Sequence, residues 1–143
     1  LTLKFLGEVS EEKIPEIVEK LKGIAGKTSA FELKIAKIGV FPSLDRINVI
    51  WAGIEDPSLL SLMREVNKEL DYLRKDEHEN EMPHLTLARV KSARNKKELQ
   101  EFVKKNEDKE FGTMMVDKII LSESELTREG PVYRAVGEFR LKE

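Results

Sequence analysis

A histidine and a threonine two residues apart, His84 and Thr86, stand in the stretch Pro83-His84-Leu85-Thr86-Leu87-Ala88-Arg89. In an extended strand alternate side chains share a face, so the imidazole and the hydroxyl project one way while Leu85 and Leu87 project the other, toward a core. An imidazole with an ordinary pKa near ~6.5 exchanges protons near neutral pH without a metal or cofactor. A threonine hydroxyl can donate a hydrogen bond to a phosphate oxygen. Leu1-Thr2-Leu3 repeats Leu85-Thr86-Leu87, and the position that would carry a second histidine lies directly before Leu1. Two such strands, side by side about a pseudo-twofold axis, would offer two imidazoles and two hydroxyls to one cleft. One imidazole can then serve as general base and the other as general acid, which suits phosphodiester chemistry.

The elements that must position these groups are legible as period and punctuation. Thr2 to Leu6 reads as a short strand ended by Gly7. Ile14, Ile17, Val18 and Leu21 fall at helical spacing, with Ser10 or Ile14 as the start and Gly23 as the stop. Phe31, Leu33 and Ile35 alternate, and the phase slips to Ile38 and Val40, which predicts a bulge near Ala36-Lys37. After a turn at Phe41-Pro42-Ser43 comes a strand from Arg46 to Gly53. Asp56-Pro57 is an N-cap followed by proline at the first helical position, and a helix runs from Ser58 to about Arg74 on Leu59, Leu62, Met63, Val66, Leu70 and Leu73. The strand with His84 follows a polar loop, 74–80. Next come a helix over Asn95–Asn106 with Leu99, Phe102 and Val103 as its buried stripe, a strand over Met114–Leu121, a long connection over Ser122–Pro131, and a strand over Val132–Leu141.

Each half thus runs strand, helix, strand, strand, with residues 1–54 matching 83–143 as copies of one supersecondary unit. The second copy is preceded by a helix, so an equivalent helix, with a strand, is expected upstream of Leu1. The pattern predicts an α+β fold: a single two-lobed domain, with two pseudo-symmetric antiparallel sheets and outer helices around a central cleft.

Composition narrows the function classes. There is no cysteine, which removes disulfide, thiolate-zinc and cysteine-nucleophile chemistry. A formal charge of -2 argues against broad attraction to nucleic acid, while leaving room for a local basic cleft. No apolar run approaches the ~20 residues of a membrane-spanning helix, so a cytoplasmic location without membrane attachment is expected. Dense lysine and glutamate suit a thermophile.

The chain resembles the two-histidine phosphoesterase superfamily and, within it, the RNA 2',3'-cyclic phosphodiesterase family, also called 2'-5' RNA ligases. The matching segments are Leu1-Thr2-Leu3-Lys4-Phe5-Leu6-Gly7, Gly39-Val40-Phe41-Pro42 with Val49-Ile50-Trp51-Ala52-Gly53, the segment from Pro83 to Arg89, and Ser124-Glu125-Leu126 followed by Gly130-Pro131-Val132-Tyr133. They span nearly the whole chain in the family's order. The resemblance implies hydrolysis of a 2',3'-cyclic phosphate at an RNA end to a 2'-phosphate. If a 5'-hydroxyl replaces water, it implies 2'-5' ligation. It implies His84 as catalytic acid or base, Thr2 and Thr86 as holders of phosphate oxygens, and Arg89 as the basic residue just past the motif. No cofactor or metal is implied, and the partners are RNA ends or tRNA halves met by a monomer. Arg89 has the parity of the leucines, so reaching the chemical face would take a bulge or a strong twist.

Other residues carry weaker signals. Tyr133 could stack on a base or simply pack. His78, among Asp76, Glu77, Glu79 and Asn80, reads as a solvated loop residue, since no regular spacing presents this group to a metal. Lys91, Arg94, Lys96, Lys97, Lys104 and Lys105 read as a solvated face, and Phe41 and Trp51 as core. The alternatives to an RNA-end phosphoesterase are a nucleotide- or RNA-binding module without catalysis, and an enzyme acting on cyclic nucleotides or an ADP-ribose cyclic phosphate.

Overall fold

The computed structural model describes residues 1–73, 82–92 and 94–143. In chain order the elements are α1 (Ile14–Ala25), β1 (Phe31–Ser43), β2 (Arg46–Ile54), α2 (Pro57–Glu69), β3 (His84–Arg89), α3 (Lys96–Lys105), β4 (Glu110–Val116), β5 (Lys118–Thr127) and β6 (Gly130–Arg140). A four-stranded sheet has the order β3-β2-β1-β4, and β5 and β6 form a second sheet of two strands. The α+β class with antiparallel sheets is as the sequence predicts. The polar stretch with His78 lies outside the described residues.

Two compact units share these elements, and neither is one half of the sequence. The first takes Leu1, Glu32–Leu60 and the described part of His78–Met114; the second takes Thr2–Phe31, the described part of Ser61–Glu77 and Met115–Glu143. Strands of the first half thus join β3 and α3, while α1 joins β5 and β6.

In the first unit the sheet register decides which residues share a face. Ala36 pairs with Gly53 and Ile38 with Ala52, so Lys37 is the extra residue of a bulge. Its φ of 68° is the left-handed conformation such an insertion needs. The predicted phase slip is therefore real. Phe41 pairs with Val49 and Pro42 with Ile47, which leaves Asn48 bulged and turns Ile47 to the side of Ile50. Ile38, Ile47 and Ile50 bury with Val103 of α3, and Val40, Leu44, Val90 and Leu99 pack against them. Gln100 Nε2 donates to the Leu44 carbonyl at 2.6 Å, tying α3 to the turn after β1. One face of the sheet is thereby covered by a helix.

In the second unit α1 packs on β5 and β6. Ile17, Leu21, Ile24 and Ala25 recur at helical spacing and are buried, as are Leu62, Val66 and Leu70 of the α2 stretch and Val116, Ile119, Phe139 and Leu141. In the first unit's part of α2, Asp56 Oδ1 accepts the backbone N–H groups of Ser58 at 2.8 Å and Leu59 at 3.0 Å. That is the predicted N-cap, satisfying two donors that the helix itself leaves open.

Several boundaries differ from expectation. Thr2 to Leu6 is irregular, not a strand; among the described residues no strand pairs with it, and an isolated strand leaves its backbone groups to solvent. α1 starts at Ile14 and passes Gly23, because burying Ile24 and Ala25 outweighs the ~0.5–1 kcal/mol cost of a helical glycine. α2 ends at Glu69, short of Arg74. Phe41–Ser43 continues β1, with the turn at Leu44-Asp45. The long connection after Leu121 is a hairpin, in which β5 runs to Thr127 and pairs with β6 throughout. Residues 110–116 form a separate strand. Phe102 is 52% exposed and leaves the α3 stripe to Leu99 and Val103. Leu85 and Leu87, read as core, are 37% and 44% exposed, because β3 lies at the edge of the sheet and has, among the described residues, a neighbour on one side only.

Candidate active site

Opposed residues of an antiparallel pair share a face. His84 stands opposite Gly53 and Thr86 opposite Trp51. Trp51 in turn stands opposite Gly39, and Val49 opposite Phe41. Gly39, Phe41, Val49, Trp51, Gly53, His84 and Thr86 therefore line the face turned away from the Ile38–Ile50 core. Arg89 joins them. Ile50 pairs with Ala88 while Trp51 pairs with Thr86, so Leu87 is looped out of the register, and Arg89 comes to lie opposite Val49. The bulge that the parity of Arg89 demands is present.

The imidazole of His84 is only partly exposed. Its Nδ1 lies 3.1 Å from the Met82 carbonyl oxygen. A carbonyl can only accept, so Nδ1 is the donor of that bond, and in the neutral imidazole this leaves Nε2 as the nitrogen with the lone pair. Phe41 meets the imidazole edge-on, with ring centroids 5.0 Å apart and planes at 82°. Trp51 lies 6.3 Å from it and 5.3 Å from Phe41. Aromatic residues in this tilted or edge-on relation attract one another through their quadrupoles. Phe41 and Trp51, read from sequence as core, are half-buried residues of the histidine's own face. The period-two series Gly39, Phe41 and Val49, Trp51, Gly53 was the signal that could have placed them there.

Thr86 and Arg89 are exposed on this face. Thr2 and Tyr133 belong to the other unit. Thr2 is exposed in the irregular first segment, and Tyr133, 69% exposed, stands opposite Ser124 in the β5–β6 hairpin. Among the described residues no three histidine or carboxylate side chains are grouped as a metal site. Lys91, Arg94, Lys96, Lys97, Lys104 and Lys105 are all exposed. The bulged Lys37 pairs with Glu55 at 2.6 Å, and its ammonium is held above the usual lysine range by the hydrogen bond to Glu55 and by that carboxylate's charge. No helix of the described chain is long and apolar enough to cross a membrane.

A sheet face bearing an oriented imidazole, a hydroxyl and a guanidinium is equipped to bind an oxyanion and move a proton. Comparison with known proteins gives that class a family. Residues 1–51 and 54–133 match the model of the LigT-like phosphoesterases. The chain is 37% identical to the RNA 2',3'-cyclic phosphodiesterase of Methanocaldococcus jannaschii over 97% of its own length and 78% of that protein's. It is 37% identical to the same-named protein of Methanothermobacter thermautotrophicus, over 98% and 77%. A Thermus thermophilus protein of known crystal structure superposes with a TM-score of 0.82 at 28% identity, over 99% of this chain and 77% of that one. Escherichia coli LigT complexed with 3'-AMP shares the fold, with a TM-score of 0.73 at 21% identity over 100% of this chain and 76% of that one. The chain belongs to the LigT-like phosphoesterase family, and is an enzyme of that type.

Proposed function

We propose that this enzyme opens the 2',3'-cyclic phosphate at an RNA end to a 2'-phosphate, by histidine acid–base catalysis that needs no metal. The observation that supports it most is the single face shared by His84, Thr86 and Arg89, with Nε2 of His84 left free by the bond at Nδ1. The names of the relatives point to the same substrate.

In the proposed reaction one imidazole takes a proton from water as the water oxygen bonds to phosphorus. The bond from phosphorus to the 3'-oxygen breaks, and a second imidazolium returns a proton to that oxygen. His84 supplies one of these groups. The repeated Leu-Thr-Leu pattern, at Leu1–Leu3 and Leu85–Leu87, supports a second group of the same kind. Thr86 donates to a non-bridging oxygen and Arg89 offsets the phosphate's charge. In the other unit, Thr2 has the hydroxyl to hold a phosphate oxygen and Tyr133 the ring to stack on a base. A 5'-hydroxyl in place of water would give a 2'-5' linkage, the ligation sense of the same chemistry. The enzyme acts as a monomer on RNA ends such as tRNA halves.

The test is turnover of a short RNA ending in a 2',3'-cyclic phosphate by the full natural protein, with the product phosphate located and EDTA added in a parallel assay. Release of a 2'-phosphate, unaffected by EDTA, is expected. Binding without turnover would favour a recognition module. Faster opening of cyclic nucleotides or of an ADP-ribose cyclic phosphate would move the assignment to that substrate class, and strong inhibition by EDTA would replace the metal-free mechanism.

A further inference from the structure

We propose that Trp51, seated over Gly39, is a positioning residue for the His84 imidazole; the inference rests on His84 being an acid–base group of the reaction. Trp51 and Gly39 are directly opposed across β2 and β1. A Cβ on residue 39 would fall 2.1 Å from Trp51 Cζ2 and 2.2 Å from Cη2, so the indole occupies space that only a glycine leaves open. Gly53 is the second small residue of this seat, since a Cβ there would come 3.4 Å from Trp51 Cζ3 and 2.9 Å from the Ala36 carbonyl oxygen. Gly53 is also the residue opposite His84.

From this seat the indole acts on the imidazole in two ways. It lies at 6.3 Å from the His84 ring itself, and at 5.3 Å from Phe41, whose edge-on contact with His84 is the closer one at 5.0 Å. With Met82 holding Nδ1, the two aromatic rings bound the remaining rotation of the imidazole. A half-turn about the ring's axis would exchange the carbon and nitrogen edges, break the bond to the carbonyl and misdirect Nε2. The indole also carries a cost that a plain hydrocarbon ring would not: Trp51 Nε1 is buried and has no hydrogen-bond partner among the described residues. Burying an unpaired donor is unfavourable, so the area of the larger ring is what the position uses.

The test compares the full natural protein with its Trp51→Leu and Trp51→Phe variants. Three quantities are read: nitrogen NMR shifts of His84, which report the tautomer; kcat and KM on the cyclic-phosphate RNA; and thermal unfolding. For a folded Trp51→Leu protein the expected result is a mixture of His84 tautomers and a kcat lowered about tenfold, with KM changed by less than about twofold. Trp51→Phe should fall between, with a loss of about threefold. A wild-type tautomer signal, or a wild-type kcat, in folded Trp51→Leu overturns the proposal. Should Trp51→Leu fail to fold, the phenylalanine variant decides: wild-type tautomer and kcat overturn the proposal, and a shift in both supports it. A natural protein that leaves cyclic phosphate intact would defeat the proposed reaction, while the tautomer measurement would still decide the positioning.

Discussion

Arg89 stands opposite Val49 on β2, and the looping-out of Leu87 is what brings it there. Without the bulge its side chain would follow Leu85 onto the opposite face. With it, the guanidinium shares a face with His84 and Thr86. A residue that a strict period-two reading assigns to the core is thus delivered to the face of His84 at the end of a six-residue strand.

Arg89→Ala should lower kcat/KM on the cyclic-phosphate RNA about 10- to 100-fold, the loss of one charge-assisted contact to a phosphate. Arg89→Lys should recover only part of it, because an ammonium keeps the charge but not the planar fork. Stability should change by no more than about 0.5 kcal/mol, since the side chain is exposed. A fall in unfolding temperature matching the loss of activity would instead make Arg89 structural.

His84→Ala should lower kcat by ~10²-fold or more while the protein stays folded, as expected for a lost general acid or base. Thr86→Val removes a hydroxyl at nearly constant volume. Because Thr86 is exposed opposite Trp51, its effect should fall on phosphate binding and rate, at about tenfold, with little change in unfolding. Wild-type turnover in either variant would remove that residue from the site.

Where apolar period and turn chemistry agreed, the sequence foretold the structure. The Asp56 cap, the slip at Lys37 and the strand of β2 were legible in this way. Reading failed where the deciding partner is distant in the chain. Ser122 to Glu125 alternate no apolar residues, so only pairing with β6 reveals β5 as a long strand. Phe41 and Trp51 look like core by residue type, yet the register set by two bulges turns them to the histidine. The motif singled out His84, Thr86 and Arg89, and the register puts them on one face; which face Arg89 takes depended on a bulge that its parity could require but not establish.

Gly39→Ala should destabilise the first unit. The added methyl would overlap the indole of Trp51, with the nearest ring atom 2.1 Å away. Displacing a ring to relieve such overpacking costs about 1–3 kcal/mol, measurable in chemical denaturation. The double variant Gly39→Ala with Trp51→Leu should recover much of that loss, because the colliding ring is gone. An additive double variant would mean that the two residues do not interact.

Tyr72 offers a pH test in the other unit. Partial burial, then the hydrogen bond to Glu16, then the charge of that carboxylate, hold its phenol above the usual tyrosine value of 10.0. Lys13 and Lys20 lie over the ring at 6.0 and 5.3 Å, so burial and the Glu16 carboxylate hold the phenol's pKa up against two nearby positive charges. A folded-state pKa above the unfolded one means that the folded chain holds the proton more tightly. The associated stability is fully present below the ordinary tyrosine range and is lost as pH rises through the folded pKa. Ultraviolet titration in a Tyr133→Phe background should therefore show phenolate appearing later in the folded protein than in denaturant. Glu16→Gln should move the folded curve down. Coincident folded and unfolded curves would show that Tyr72 is not bonded to Glu16 in solution.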